Sequence, residues 1–261
     1  MTQTTAVPRS GDSQAVSPLA AEARARLAPD PVFNADLLDI VQRGAGDILA
    51  ADDRGVLLRD DGSGAYLMTA TSPAAVDSLL DLVIDPPHLV THQDYSRPLI
   101  AARFGFDRAT ACYQSAFLGP TLPAIERPDL RVEALGADWA AQLAQQYSLG
   151  LGVDYLRQRC AAGAMYGAFP ADAATSPATL AGFIGQHAEG SMGLLEIYPA
   201  HRRQGIGQYL VTWLANLILA EGRVPFDQII VGNQASEALQ RHLGFTISTK
   251  RLYWMSADRA A

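Results

Sequence analysis

Cysteine, charge and long apolar runs are all scarce in this chain. Of its 261 residues only two are cysteine, Cys112 and Cys160, far apart in sequence. Two isolated thiols make neither a disulfide framework nor a metal-ligand spacing, so no metal is expected and both read as buried thiols in a reducing compartment. No apolar run approaches the roughly 18 to 20 residues that a membrane span needs. Charged residues are 18% of the chain and the net charge is −7. That balance argues against a general nucleic-acid binder. The opening residues lack a basic stretch followed by a hydrophobic one, so no signal peptide is expected and a cytoplasmic location follows by default. Their Thr, Ser, Gln, Ala and Pro content reads as a flexible tail, placed at residues 1–30.

What is present is an ordinary globular composition, 49% hydrophobic, with alternating helix and strand patterns. After two helix-like stretches, GVLLRD and GAYLMTA read as strands around a turn. SPAAVDSLLDLV reads as a helix with Ser72 as N-cap and Pro73 at its first position. PPHLVTHQ and RATACYQSAFLG read as strands flanking a short helix, SRPLIAARF. The proline-rich segment GPTLPAIERPDL is taken as a linker at 118–128. It separates an N-terminal α/β domain, 31–117, from a second at 129–261. The second reads β-α-α-β-β-β-α-β-α-β, an α/β arrangement with a mixed sheet. Its longest helix, 205–221, carries Ile206, Leu210, Trp213, Leu214, Leu217 and Ile218 at helical spacing, with Gly222 as a left-handed cap.

DYSRPLIAARFGF (94–106) aligns with NQASEALQRHLGF (233–245), matching Asp94 to Asn233 and Gly105-Phe106 to Gly244-Phe245. Each segment follows an apolar strand and leads to a strand containing Tyr. The alignment suggests two copies of one α/β unit. The alternative is chance, because few positions match.

The stretch HRRQGIG, 201–207, sits where an apolar strand hands over to the longest helix. A helix start offers backbone N–H groups without internal partners and the positive end of the helix dipole. Gly205 and Gly207 let an anion approach those groups. Arg202 and Arg203 supply forked donors for phosphate oxygens. The dinucleotide fingerprint fails because residue 210 is Leu, and no Gly-Lys-Ser/Thr completes a P-loop.

In this context the sequence resembles the GNAT superfamily of acyl-CoA-dependent N-acyltransferases. The family's Arg/Gln-x-x-Gly-x-Gly/Ala motif reads here Arg202-Arg203-Gln204-Gly205-Ile206-Gly207. Its later Asn-x-x-Ala/Ser-x-x-Leu-x-x-x-x-Gly-Phe signature reads Asn233, Ser236, Leu239, Gly244 and Phe245. The resemblance covers residues 129–261, and the closing RLYWM with a preceding degenerate half is similar to the glycine N-acyltransferase-like branch. It implies a mixed-sheet GNAT-like domain preceded by a smaller, degenerate GNAT-like half, and acetyl-CoA or another acyl-CoA as co-substrate. The strand before the motif would splay from its neighbour, leaving Leu195, Glu196 and Ile197 free to pair with the pantetheine arm. Residues 202–207, including Ile206, would hold the pyrophosphate, and Asn233 and Ser236 the arm near the thioester. Asn and Ser at that place are equally good helix caps.

The implied reaction is direct attack of an amine, which needs a base to keep nitrogen neutral. Glu189, at the entrance of the motif-preceding strand, is favoured for the cleft; Glu196, on a face shared by alternation with Met192 and Leu194, is the second candidate. His187 is a base or relay, or else a structural histidine. The family's usual Tyr, seven residues after the Asn, is replaced by Gln240, so its general acid is missing: either the thiolate leaves without one, or another group such as Tyr198, Tyr209 or Tyr253 serves. A small-molecule amine is the expected acceptor, with a protein lysine or N-terminus as the alternative. The rival from another class is a non-catalytic acyl-CoA-binding regulatory module. A homodimer is allowed for.

Overall fold

The computed structural model describes residues 17–257. Its first half runs α1 (Pro18–Leu27), α2 (Ala35–Arg43), β1 (Gly46–Asp52), β2 (Gly55–Asp60), β3 (Tyr66–Ala70), α3 (Pro73–Leu80), β4 (Leu89–Thr91), α4 (Ser96–Phe104) and β5 (Arg108–Ala116). The second half runs β6 (Leu130–Ala134), α5 (Ala140–Gln146), α6 (Val153–Ala161), β7 (Met165–Pro170), β8 (Gly182–Gln186), β9 (Met192–Ile197), α7 (Ile206–Ala220), β10 (Phe226–Ile230), α8 (Gln234–His242) and β11 (Thr246–Ser256). The mixed α/β class read from the sequence is the observed one. Local chemistry sets several boundaries. The Ser72 hydroxyl accepts from Ala75 N at 3.1 Å and Pro73 opens α3, as expected of that cap. Gly222, at φ 76°, closes α7, and Arg223 N reaches back to Ile218 O at 3.2 Å, a left-handed helix stop.

The tail expectation at 1–30 is corrected in part. Residues 1–16 lie outside the described residues, but Pro18–Leu27 is helical, capped by Ser17, and Ala23 and Leu27 are fully buried. Small and apolar residues at helical spacing within a polar-looking segment bury a narrow stripe, which composition alone hides.

All eleven strands form one sheet, in the order β1-β2-β3-β4-β11-β5-β10-β9-β8-β7-β6. From one edge the first half places β1 to β4 and then receives β11. From the other the second half places β6 to β10 and then receives β5. Each half therefore lends its last strand to the other. β5 and β11 pair antiparallel over most of their length, so the two halves are related by an approximate two-fold axis normal to the sheet. α1 and α2 then share a face with α5 and α6, and α3 and α4 with α7 and α8. The cores agree. α3 and α4 cover one cluster with Tyr253 and Met255, α1 and α2 a second with Leu252, and α7 and α8 cover Ile184, Met192 and Phe245. The face under α5 and α6 buries Phe169, Phe183 and Leu194. Each such side chain contributes roughly 1.5–3 kcal/mol when fully buried.

The two halves differ where parallel strands meet. β3 and β4 pair at Tyr66↔Leu89, Leu67↔Val90 and Met68↔Thr91. β9 and β10 pair only at Asp227↔Met192. Beyond that point they diverge and leave a wedge open toward the start of α7.

Candidate functional site

The wedge arises from β9 itself. Leu194 has φ 54°, and the β8–β9 register slips between Phe183↔Glu196 and Gly185↔Gly193. This bulge opposes two residues of β9 to one of β8, bends the strand and resets its alternation. Met192 faces the α7 core, whereas Leu194 packs under α5 and α6. The single face expected for Met192, Leu194 and Glu196 is thereby corrected: alternation holds only from Leu194 onward. Leu195 and Ile197 turn toward α7, and β10 offers their backbone edge no registered partner.

At the open end of the wedge lies the 202–207 segment. Arg203 has φ 60° and Gly205 φ 77°, and Gly205 is the N-cap of α7. Left-handed residues in such a turn direct successive N–H groups to one side, an anion-binding concavity. For Arg203 that conformation costs about 1–2 kcal/mol, strain of the kind that clusters at ligand clamps. A cavity of about 410 Å³ opens on it, lined by Ile197, His201, Arg203, Gly205, Gly207 and Leu239 among others. A Cβ at Gly205 would meet only Arg127 Nη1 at 3.8 Å and Gln208 Oε1 at 3.9 Å. Gly205 is thus required by its dihedral and by access from outside, not by crowding. The donors suit a diphosphate: a helix N-terminus of 15 residues, arginines and a glycine-bared backbone.

Arg202 also lines the cavity but is tied to the strand, giving Nε to Ile197 O at 2.9 Å and Nη2 to Glu196 Oε1 at 3.1 Å. Ser148 N donates to Glu196 Oε2 at 3.0 Å. Glu196 is thus buried beside the wedge, on the α5/α6 face, between a cradle arginine and the loop that follows α5. The Tyr147 hydroxyl is pushed up to about 12 by burial and by the Glu196 charge, so it is a hydroxyl donor, not a base, at neutral pH. Arg127 was not anticipated. Its Nη1 donates to Gln204 O at 2.9 Å while Asp129 holds the rest of the guanidinium. It lies in the segment taken as a linker, where a lone arginine carries no pattern. Asn233 Oδ1 accepts from Ser236 N at 3.1 Å, so the pair caps α8, the alternative weighed from the sequence.

Glu189 is not in the wedge. It lies in the β8–β9 turn, below Met192. Arg43 Nη2 of α2 donates to its carbonyl at 2.8 Å, and its carboxylate accepts from the Ser191 hydroxyl. The neighbouring Gly190 packs against Asp39, Arg43 and Arg223. Arg223 follows the far end of α7, and 15 residues of helix put that end about 22 Å from the cradle. The cleft position favoured for Glu189 is therefore corrected: this turn seats the second half on α2. His187 begins the same turn and pairs through Nδ1 with the Tyr155 hydroxyl at 2.8 Å. Burial holds its imidazole below the usual value against the upward pull of Glu189, so it is neutral. Structure thus brings Glu196, Arg202, Arg203, Gly205, Gly207 and Ile197 together, and leaves Glu189 and His187 at the other end of the strand.

Comparison with known proteins agrees with this geometry. The FR47-like protein family model matches residues 168–255, which span β8 to β11 and contain both the bulge and the cradle. Solved structures resemble nearly the whole chain. A Drosophila protein superposes with TM-score 0.61 at 15% identity, covering 79% of this chain and 75% of its own. A GNAT-family protein from Novosphingobium aromaticivorans gives 0.55 at 18% identity, covering 87% and 97%.

The fold is that of the GNAT superfamily.

A GCN5-related N-acetyltransferase-like protein from Streptococcus suis has it too, with TM-score 0.54 at 14% identity over 91% of this chain and 99% of its own. No curated protein matches the sequence. In this GNAT-fold chain no helix among the described residues is long and apolar enough to cross a membrane, and the two cysteines are buried.

Proposed function

We propose that the chain is an N-acyltransferase that moves an acyl group, acetyl foremost, from acyl-CoA to a primary amine of a small molecule. The observation that carries the reading is the coincidence of an anion cradle with a one-sided wedge. The cradle at Arg203 to Gly207 suits a diphosphate, and the unpaired edge of β9 running down to Met192 suits the amide-bearing arm beneath it. When bound, the thioester supplies the activated acyl carbon. Edge N–H groups of β9 hold the arm, and those nearest the bulge face the developing oxyanion. Glu196, held by Arg202 and Ser148 N, lies further up the strand and takes the proton lost by the attacking nitrogen through intervening water. Direct attack needs no covalent enzyme intermediate.

The first half supports a small acceptor. It has the same order of elements from α1 to β5, yet its parallel strands stay paired and Ser72-Pro73 opens α3 in place of a Gly-Arg turn. We take it as a second GNAT-like copy without a cofactor slot. Its α2 packs beside β10, where Gln228 Nε2 reaches Asp36 at 3.3 Å, and so walls one side of the acceptor face. A wall there disfavours an extended protein tail.

Calorimetry with coenzyme A, and mass spectrometry of a panel of small amines incubated with acetyl-CoA, test the reading. Binding with acylated product is expected. Tight binding without product from any amine would favour a regulatory acyl-CoA-binding module, and no binding would end both readings.

A further inference from the structure

Where β10 last touches β9, a polar group is buried without an apparent structural reason. Asp227 pairs with Met192 at the apex of the wedge and is only 7% exposed. Its side chain lies on the α7/α8 face. Gln240 of α8, itself 3% exposed, donates Nε2 to Asp227 Oδ2 at 2.6 Å. Asp227 Oδ1 and Gln240 Oε1 are buried with no hydrogen-bond partner of their own, and the Ser115 hydroxyl, opposite Asp227 on β5, lies against the carboxyl. No cation reaches this carboxyl among the described residues. A carboxylate left so would be an uncompensated buried charge.

The geometry resolves this in one way. Gln240 Nε2 gives a hydrogen to Oδ2, so in the protonated form Oδ2 is the carbonyl-like oxygen and Oδ1 bears the acid proton. That O–H is buried among neutral polar groups, the Ser115 hydroxyl and Gln240 Oε1, with no charged partner to hold its proton. The wedge ends there. From Ile197 at the cradle down to Met192 is about 16 Å of strand, the space in which an arm held at its diphosphate end would extend its reactive end toward the apex.

We propose that Asp227 is the proton donor to the leaving sulfur, with Gln240 fixing its other oxygen. This rests on the acyltransferase reading above. Nitrogen attacks the carbonyl carbon and the C–N bond forms. The C–S bond then breaks, its electron pair goes to sulfur, and the Asp227 Oδ1 proton follows to give the free thiol. The proton lost by nitrogen leaves to solvent water, and Asp227 regains one from solvent once the thiol departs. The buried carboxyl is pushed up to about 7 by burial, against lowering contacts from Ser115 and Gln240, so a protonated population exists at neutral pH.

The test uses the whole chain, with acetyl-CoA as donor and hydroxylamine as a small acceptor, read as thiol release. Asp227→Asn keeps an oxygen for Gln240 but has no acid proton. It is expected to lower kcat at least tenfold with the affinity for coenzyme A unchanged by calorimetry. Adding Gln240→Tyr, which returns a hydroxyl to the same place, should recover part of the loss; a packing defect would not be mended by a larger residue. In the wild-type protein, difference infrared spectroscopy should show a protonated carboxyl band that shifts when coenzyme A binds, which needs no variant to fold. Wild-type turnover in Asp227→Asn, or a carboxyl band indifferent to coenzyme A, overturns the inference while leaving the acyltransferase reading intact. Absence of coenzyme A binding by the wild type overturns both.

Discussion

Replacing Asp227 should make the protein more stable at alkaline pH than at acid pH relative to the wild type. The folded-state carboxyl is raised from 3.8 to about 7, so between those values the native state binds more protons than the unfolded one. Stability then falls as pH rises through that window. A group whose folded value is raised stabilises below its unfolded value and loses that contribution as pH climbs past the folded one. A shift of about three units corresponds to about 4 kcal/mol at most, and water admitted on ionisation would reduce it. Asp227→Asn never ionises, and its side-chain oxygen can still accept from Gln240. Urea unfolding at pH 5 and pH 8 should therefore show the variant gaining on the wild type by about 2–3 kcal/mol between the two. If the difference in midpoint between the proteins is the same at both values, the carboxyl does not titrate where its burial places it, and the argument for a stored proton fails.

Other expectations follow from the same geometry. Gly205→Asp places a Cβ at φ 77° and a negative charge in the cradle; it should weaken coenzyme A binding at least tenfold by calorimetry, and retained affinity would remove the cradle from the account. Arg223→Ala leaves the buried Asp39, 1% exposed at its side chain, with Arg43 alone; a loss of about 2–3 kcal/mol in urea unfolding is expected. Glu196→Gln should reduce turnover at least tenfold whereas Glu189→Gln leaves it within about twofold, measured on whichever amine of the panel is acylated. The reverse pattern would return the base to the β8–β9 turn.

The elements near the cradle were legible because each carries a local signal. Helical spacing from Ile206 to Ile218, Ser72-Pro73 and Gly222 all mark their own boundaries. The cradle was legible as a motif, since glycines and arginines at a helix start have a direct reading in hydrogen-bond geometry. What escaped depends on other parts of the chain. The bulge at Leu194 is set by register against β8, and nothing in GLLEIYP announces it. Glu189 precedes β9 and so sits at the strand's end away from the 202–207 segment; nearness in sequence to the strand does not bring it near that segment. Arg127 matters through a single backbone carbonyl 77 residues on. Gln240 was legible as a helix residue, but its partner Asp227 was not, because a strand Asp in FDQIIVG gives no sign of which helix will cover it.

The traded strands bear on how the molecule is made. While the ribosome is still adding residues, β4 has no neighbour on the side that β11 will fill, and β5 waits for both β10 and β11. The pairing of β4 with Tyr253, Trp254 and Met255 can close only after those residues have been made. A nascent chain cut anywhere before that point holds an exposed strand edge, so neither portion should fold when produced alone.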